Sequence, residues 1–414
     1  MPEPIGKVYF KPDYSYNFKL TIKDYDYSQD LFEVRIVSSI TSAYQIIILG
    51  IFVDPDEIIL EKIYGQDPLK LSAILKGQTK GDEEQIDFEL MAIRNSLQIQ
   101  TRPDSTSGGK IGEQVDRVPF NIITVCRSPF KSMTSLVNQV YTAKTVKEIV
   151  EALVTESGSG VTLKYDTEGT NKEVLSQVVV PPTTLYKAIE YLDNAFGLYY
   201  GVPAVFCMYD NILHVRNLSN RLKQAQTFTV YHLSSQENDE KFTENLDGKT
   251  FYSFNPIQTS YAGNSIFANL AKNLEFIVRP SDALYTTISL DLETICEQSL
   301  PSAGKEIFID PNMTSRSRYY IDIIGNEYDD TFAVSMVTKL VSSISTISIN
   351  LERNLKIENL MNVGEPVKLN IKTLEYITLA GMYILKSSDL LFSRKVDWES
   401  TAKINLMRTH NLDK

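Results

Sequence analysis

The stretch from Asn362 to Lys372, NVGEPVKLNIK, places a turn directly before a strand. Its apolar residues Val367, Leu369 and Ile371 alternate with polar ones, which is typical of a strand with one buried and one solvated face. Gly364 and Glu365 supply the turn. The same alternation recurs in two other segments of this region, which are Ile347, Ile349 and Leu351, and Ala402, Ile404 and Leu406. These patterns predict that the last third of the chain is β.

The first 127 residues carry the same signal. Two segments alternate with charged residues and are predicted to be strands, and these are Phe32, Val34 and Ile36, and Ile86, Phe88 and Leu90. Between them, residues 43–53 are apolar enough to predict a strand buried on both faces. Another strand is predicted at 120–126. Residues 101–117 lack apolar periodicity and are predicted to form a long mobile loop. Short strands separated by turns favour a small barrel or sandwich.

The middle of the chain changes to helical periodicity. The five apolar residues Met133, Leu136, Val137, Val140 and Tyr141 fit helical spacing, although a strand is also compatible with them. Thr145 and Glu148 have the spacing of a capping box, which predicts that a helix begins there. Gly158 and Gly160 are expected to end it.

A second helix is predicted after Pro181–Thr184, with Gly197 ending it. Its apolar face would comprise Leu185, Ala188, Ile189, Leu192 and Phe196. Two strands then follow, at 198–209 and 211–217, around a turn at Asp210 and Asn211. Helices and strands together indicate a small α/β module.

These patterns predict a fold that is mainly β with an α+β insert. Two small antiparallel β-barrel, tube-like domains would occupy residues 1–127 and 221–414, and a helix-containing α/β insert module would occupy 128–220. Loop insertions could make the second barrel domain discontinuous, and the polar segment 234–249 is predicted to be one surface loop. The two β regions show no obvious sequence repeat, so any duplication would be structural only.

The composition argues against several classes of function. The formal net charge is −11, whereas nucleic-acid binders need a basic surface for phosphate contacts. An acidic balance suits a conduit through which DNA slides, but it equally suits simple solubility. Cys126, Cys207 and Cys296 lie far apart, which disfavours a disulfide framework or a zinc site. The N-terminus lacks a signal-peptide pattern. The apolar run 46–53 is too short to cross a bilayer, so no membrane insertion is expected.

Catalytic motifs are hard to find in this sequence. His214 lies in an apolar strand, His232 precedes a polar loop and His410 is near the C-terminus, and none shares a motif with a Cys or an activated Ser. Gly158-Ser159-Gly160 resembles half of a dinucleotide fingerprint. It follows a helix and precedes a strand, which is the reverse of the order that phosphate binding needs.

The acidic clusters have no catalytic or calcium-binding spacing. They are Asp54, Asp56 and Glu57, then Glu237, Asp239 and Glu240, and finally Asp329 and Asp330. A calcium loop needs ligands at alternate positions with a central Gly, and sequence spacing cannot reveal two carboxylates facing one cleft. Solvated loops are the simpler interpretation. The prediction is therefore no catalytic, metal or cofactor-binding residue, no cofactor, and no enzyme.

The order of segments resembles the baseplate hub protein of contractile-tailed bacteriophages, which is similar to the hub half of the type VI secretion spike. Three sets of segments carry the resemblance. They are Leu31–Ile36 with Ile86–Leu90; Thr145–Val150 with Thr184–Phe196 and the hairpin that reaches Arg216; and Asn362–Val367 with Ala380–Leu385 and Lys403–Arg408. The last set is the most specific, and together the three cover most of the chain.

The resemblance implies a structural virion protein, the trimeric central hub of the baseplate. Each subunit of the homotrimer would contribute two barrels, so that a ring of six matches a hexameric tail tube above and a trimeric spike below. The implied partners are the tube or tube-initiator ring, the spike protein and other baseplate proteins. Genomic DNA would pass the channel without specific binding during ejection. The implied location is the virion tail baseplate, after assembly in the host cytoplasm.

Two other functions remain compatible with the sequence. One is a tail-associated glycoside or peptidoglycan hydrolase, which would require two carboxylates facing one cleft. The other is a different tail ring protein, such as a distal tail protein or tube initiator, with one barrel per subunit in a hexamer. The loop 101–117 is a candidate contact for the tube or spike, and an exposed linker is an equally good interpretation.

Overall fold

The structure is a computed structural model that describes most of the chain. The described residues are 14–40, 42–53, 68–77, 83–97, 118–199, 204–209, 212–217, 221, 224–232, 249–253, 256–260, 274–279, 286–288, 317–322, 346–352, 360–371 and 380–407. Strands predominate among them, so the chain is mainly β with few helices, as the alternation predicts.

The described part of the first β region contains seven strands. They are β1 (Tyr14–Ile22), β2 (Tyr25–Asp26), β3 (Leu31–Ser39), β4 (Ile46–Val53), β5 (Leu69–Gly77), β6 (Glu83–Leu97) and β7 (Val118–Cys126). The helices and strands of the middle part follow. They are α1 (Arg127–Met133), β8 (Leu136–Thr145), α2 (Val146–Glu156), β9 (Thr162–Tyr165), β10 (Val174–Thr184), α3 (Leu185–Phe196), β11 (Ala204–Tyr209) and β12 (Ile212–Asn217).

The second β region begins after β12. Its strands are β13 (Phe228–His232), β14 (Thr250–Ser253), β15 (Gln258–Ser260), β16 (Leu274–Arg279), β17 (Thr286–Ile288), β18 (Ser317–Asp322), β19 (Thr346–Glu352), β20 (Pro366–Ile371), β21 (Gly381–Arg394) and β22 (Trp398–Met407). Strands β16, β17 and β18 form a small sheet of their own.

Fourteen of the described strands form one sheet, which joins the two β regions. Its main path is β14-β13-β20-β21-β3-β4-β7-β6-β5-β1-β2, and β22, β19 and β15 continue from the other edge of β21. The connection between the regions is the antiparallel ladder of β3 with β21, in which Ser39 pairs with Ser387 and Glu33 with Ser393. Across this ladder, the Arg35 guanidinium donates to both carboxylate oxygens of Asp389, at 2.7 and 2.5 Å.

One hydrophobic core runs beneath both regions. Phe392 on β21 is fully buried, and its ring centroid lies 4.9 Å from that of Tyr16 and 5.1 Å from that of Phe18 on β1. Trp398 on β22 packs edge-on against Phe18 at 4.8 Å. Strands β1 and β21 are far apart in the strand order, so the sheet must fold over for these rings to meet. Such aromatic contacts stabilise the core beyond the area they bury.

The two β regions repeat the same order of strand pairing. In the first, the order is β1-β5-β6-β7-β4-β3, and in the second it is β13-β20-β21-β22-β19-β15. Each strand of the first set therefore has a counterpart in the second, in the same chain order. Four of the five pairings are antiparallel in both regions. The exception is β13, which is parallel to β20, whereas β1 is antiparallel to β5.

The register of the pairing repeats as well. The β6–β7 ladder has a bulge between Ala92 and Arg94, and the β21–β22 ladder has one between Leu385 and Ser387. When the bulges are aligned, buried residues of the second region coincide with buried residues of the first. The coinciding pairs are Ile347 with Ile47, Ile349 with Leu49, Leu351 with Ile51, and Ile404 with Ile122. Bulges bend strands at defined positions, so both regions bend at the same place.

Closed barrels are not seen among the described strands, because the main path ends at β14 and β2 and the branch ends at β15. The mainly β class is confirmed, while closure of each region into a barrel stays a prediction. The division into domains at 1–127, 128–220 and 221–414 also stays a prediction.

The middle part has its own core. Strands β8 and β10 form a two-stranded ribbon, β11, β12 and β9 form a three-stranded sheet, and the helices pack between them. The predicted capping box is present, since Thr145 accepts from the Glu148 N–H and Glu148 accepts from the Thr145 N–H. Gly158 follows α2 with φ of 60°, and Gly197 follows α3 with φ of 71°, in the left-handed region that favours glycine.

The helical interpretation of Met133–Tyr141 is wrong. Helix α1 ends at Met133, and the chain from Leu136 is strand β8, whose inner face buries Val137 and Tyr141. The other residues of the segment, Leu136 and Val140, are exposed. Residues four positions apart lie on the same face of a helix and also on the same face of a strand, so this spacing does not distinguish the two. The pairing of the segment with β10 decides in favour of the strand.

The sequence prediction also fails at two positions of β3 and β4. A bulge between Leu31 and Glu33 moves Phe32 out of the buried row, and its ring packs at 4.5 Å against Phe52. Gly50 makes room for this ring, because a Cβ there would lie 2.7 Å from it. Phe52 is 41% exposed, so β4 is not buried on both faces.

Several sequence predictions lie outside the described residues. They are the mobile loop at 101–117, the surface loop from 234 and a proposed contact with the tube or spike on the first of these.

We expect Phe392→Ala to lower the free energy of unfolding by about 3–5 kcal/mol, because it empties a fully buried aromatic site shared by both β regions. Urea unfolding followed by fluorescence measures the loss. Phe52→Ala is the control, because that ring is 41% exposed and should cost much less. Equal losses in the two variants would contradict a shared core.

Candidate functional site: an ionic joint and two open strand edges

The histidines singled out by the sequence lie on separate strands or outside the described residues. His214 lies on β12 and His232 at the end of β13, both buried, and His410 lies outside the described residues. The acidic clusters at 54–57, 237–240 and 329–330 also lie outside them. Within the described residues, no group of three or more His, Cys, Asp or Glu side chains could hold a metal ion. No described helix is long and apolar enough to span a bilayer.

A buried ionic joint connects the middle part to the second β region. Arg216, at the end of β12, places its Nη1 atom 2.7 Å from Oε1 of Glu365, with side chains 7% and 16% exposed. The same nitrogen donates to the carbonyl oxygen of Val363 at 3.2 Å. Glu365 belongs to the turn before β20, and its backbone carbonyl accepts from the Leu385 N–H on β21. The joint therefore contacts the strand that connects both β regions.

A second arginine extends the joint. Arg221 donates from Nε and Nη2 to the two carboxylate oxygens of Asp166, at 3.3 and 3.1 Å. Its Nη1 atom lies 3.6 Å from Oε2 of Glu365, which also accepts from the Thr227 hydroxyl. The Asn217 N–H donates to Asp166 at 3.2 Å. The four charges therefore alternate in sign along one network, and each carboxylate has more than one donor.

His214 stands beside this network. Its Nδ1 atom lies 3.5 Å from Nη2 of Arg216. Burial, followed by the positive charges of Arg216 and Lys164, lowers the pKa of His214 to about 4. The imidazole is therefore neutral at neutral pH, which suits a position next to two guanidinium groups.

The arrangement can hold one structural unit against another. Guanidinium groups with two-pronged contacts to carboxylates define direction as well as distance. Removal of one partner would leave a nearly buried charge without compensation. We therefore interpret the joint as the lock that fixes the orientation of the middle part on the sheet. The sequence offers one signal for it that was missed, because Arg216 ends the otherwise apolar run ILHV.

Two of the strand edges that are open among the described residues have counterparts that are covered inside the chain. Strand β15 pairs with β19 on one side only. Strand β6 pairs with β5 through Glu83–Leu90 and with β7 through Leu90–Leu97, so its β5-side edge after Leu90 has no described partner strand. The counterparts of these edges, β3 and the second half of β21, pair with each other. Unpaired backbone edges readily add a strand from another chain.

The β8–β10 ribbon exposes apolar side chains. Val140 and Val179 face each other across the ribbon and are 54% and 42% exposed. Leu136 and Val174 are exposed near its two ends. A group of exposed apolar side chains on one element is typical of a contact surface.

Comparisons with known proteins identify the fold. A tail protein from Neisseria meningitidis has a TM-score of 0.57 and 10% identity, with 95% of this chain and 97% of that chain covered. The 43 kDa tail protein of prophage MuSo2 from Shewanella oneidensis has a TM-score of 0.53 and 10% identity, with coverage of 95% and 99%. No protein-family model and no curated protein matches the sequence significantly.

A third match is a component of the type VI secretion system from Escherichia coli, with a TM-score of 0.47 and 8% identity over 93% of this chain and 76% of that chain. The first two matches cover nearly the whole of both chains. The chain therefore has the fold of phage tail proteins, and the resemblance seen in the sequence is confirmed at the level of the fold.

We expect Glu365→Gln to lower the free energy of unfolding by about 3 kcal/mol, because Arg216 would remain nearly buried without its counter-charge. Urea unfolding measures the loss. The control is Glu190→Gln, which removes the exposed pair with Lys187 and should cost less than about 0.5 kcal/mol. A loss at Glu365 no larger than at Glu190 would contradict the lock.

We expect stability to fall as the pH drops from 6.5 to about 4, in part because of His214. Between these pH values the unfolded chain takes up a proton at His214 that the folded chain does not. This lowers the free energy of unfolding by about 3 kcal/mol at the acidic end of the range. His214→Gln should show a shallower decline in urea midpoints measured across this range. Parallel curves for the two proteins would show that His214 does not titrate on unfolding.

Proposed function

We propose that the chain is a structural protein of a phage tail, the trimeric central hub of the baseplate. In this role, one trimer joins the hexameric tail tube or its initiator ring to the trimeric spike and surrounds the channel for DNA. The fold shared with two tail proteins supports a tail component, and the finer assignment rests on the architecture of the chain.

The observation that carries the proposal is the repeated order of pairing. Five strand pairings recur in the second β region, and four of them keep the same direction. The β6–β7 ladder and its counterpart, β21–β22, also share the position of a bulge. One chain thus contains two similar β modules joined edge to edge by β3 and β21. Three such chains supply six modules, which is the number required to match a sixfold ring with a threefold protein.

The charge of the chain fits a conduit. A formal net charge of −11 disfavours attraction to DNA phosphates, so DNA could pass without sticking. Partners would be the tube or tube-initiator ring, the spike and other baseplate proteins, and the location would be the tail baseplate after assembly in the host cytoplasm. The exposed apolar ribbon of β8 and β10 supports a protein with several contact surfaces.

The two alternatives receive less support. A hydrolase needs two available carboxylates across a cleft, whereas Asp166 and Glu365 in the ionic joint are occupied by arginines. A distal tail or tube-initiator ring would need only one module per chain in a hexamer, and this chain repeats the module. Turnover of peptidoglycan that is lost on mutation of a carboxylate pair would favour the hydrolase.

We expect the purified protein to form a homotrimer, with a mass three times that of the 46.9 kDa chain. Mass photometry and multi-angle light scattering at micromolar concentration measure this. A stable monomer that does not trimerise even with a spike protein would contradict the hub, and a hexamer would favour the ring-protein alternative.

A further inference from the structure

We propose that neighbouring copies join through an antiparallel ladder between β15 of one copy and the second half of β6 of the next, with Ser260 opposite Ser96. This inference rests on the proposed trimer and names the surface that builds it. It is a head-to-tail contact between two different edges of the same chain, which closes into a ring after a whole number of steps.

The argument begins with the contact inside the chain. The two modules meet where β3, at the edge of the first, pairs with Ser387–Ser393 of β21 in the second. This part of β21 lies beyond its pairing with β20, which ends at Ile384. The chain therefore already contains one complete example of how two such modules join.

The same two edges recur in the opposite modules, and there they are open. Strand β15 is the counterpart of β3, because the order β15-β19-β22-β21 in the second module repeats the order β3-β4-β7-β6 in the first. Strand β6 is the counterpart of β21, and its edge after Leu90 lies where β21 receives β3. Among the described residues, neither edge has a partner strand. Each copy therefore has two open edges, β15, which corresponds to β3, and the second half of β6, which corresponds to the part of β21 that pairs with β3.

The register follows from the ladders. Thr259 pairs with Ile347 as Ile36 pairs with Ile47, so Ser260 corresponds to Val37. Alignment of the two bulges makes Ser96 the counterpart of Asp389. Within the chain, Val37 pairs with Asp389, which places Ser260 of one copy opposite Ser96 of the next. By the same rule, Thr259 lies opposite Leu97.

The contact between copies differs from the contact within the chain in its charges. Gln258 and Ser96 stand at the positions of Arg35 and Asp389, whose ion pair crosses the internal ladder. The ladder between copies therefore depends on backbone hydrogen bonds and not on this ion pair. If the same rotation relates every module to the next one in the ring, each chain supplies two adjacent modules, and three chains complete a ring of six modules.

Disulfide trapping tests the register. In an antiparallel pair the opposed Cα atoms are about 4.5–5.5 Å apart, which matches the span of a disulfide. We expect mild oxidation of the S96C/S260C double variant to give covalent dimers and trimers on a non-reducing gel, with no larger species. The second double variant, L97C/T259C, tests the adjacent pair. The wild-type chain, which has three native cysteines, provides the background.

Three controls define the geometry. V37C/D389C carries the equivalent pair inside one chain and should form an intramolecular disulfide only. R94C/S260C is two residues out of register, about 8 Å between Cα atoms, and should cross-link poorly. A reconstituted mixture of the single variants S96C and S260C should give dimers and no trimers, because each copy then has one cysteine of the pair. Each single variant alone should remain at the background level.

The outcomes separate this inference from the proposed function. Light scattering on the wild-type protein and on the reduced variants reports the trimer without reference to the surface used. If light scattering shows a trimer but neither double variant cross-links above background, the β15–β6 ladder is overturned and the proposed hub is not affected. Efficient dimers from one single variant alone would indicate a symmetric contact and would also overturn it. A protein that stays monomeric in every sample would overturn both proposals.

Discussion

The backbone ladder between β3 and β21 is the contact on which the rest of the structure depends. It covers the edge of the first β region with a strand of the second and makes one sheet of both. Since β21 also pairs with β20 and β22, a single strand holds three neighbours. Phe392, in the shared core, lies on β21, and Glu365, in the ionic joint, lies in the turn before β20, which pairs with β21. The positions of the core and of the joint therefore depend on the ladder.

The same constraint explains why a chain of this kind would assemble. A module whose edges carry unpaired N–H and C=O groups must cover them with another strand or expose them to aggregation. One edge of each module is covered inside the chain, and the corresponding edges, β15 and the end of β6, have no described partner strand. Head-to-tail repetition would cover these two edges with the same kind of contact that already joins the modules inside the chain.

The ionic joint has a complementary task. Arg216 and Arg221 tie the middle part to Glu365 at the turn before β20, so the insert is oriented by charges while the sheet is built by backbone pairing. Paired charges at fixed positions define a direction as well as a distance, which favours orientation over added stability. The apolar ribbon of β8 and β10 is thereby held at a defined position relative to the modules.

Local patterns in the sequence determined several of the strands, the two capped helices and the mainly β class, because alternation, caps and glycine turns act over a few residues. They were ambiguous at Met133–Tyr141 and wrong at Phe32, where pairing with another strand and a bulge decide. Tertiary structure alone decided which strands pair, and so revealed a repeat that the residues do not show. Buried aliphatic residues can replace one another, as Ile349 and Leu49 occupy equivalent positions in the two regions, so the register can be kept where sequence similarity is lost. The sequence marks Arg216 as unusual in its apolar strand but does not reveal that Glu365 is its partner, because the two residues are about 150 positions apart and no local pattern spans that separation.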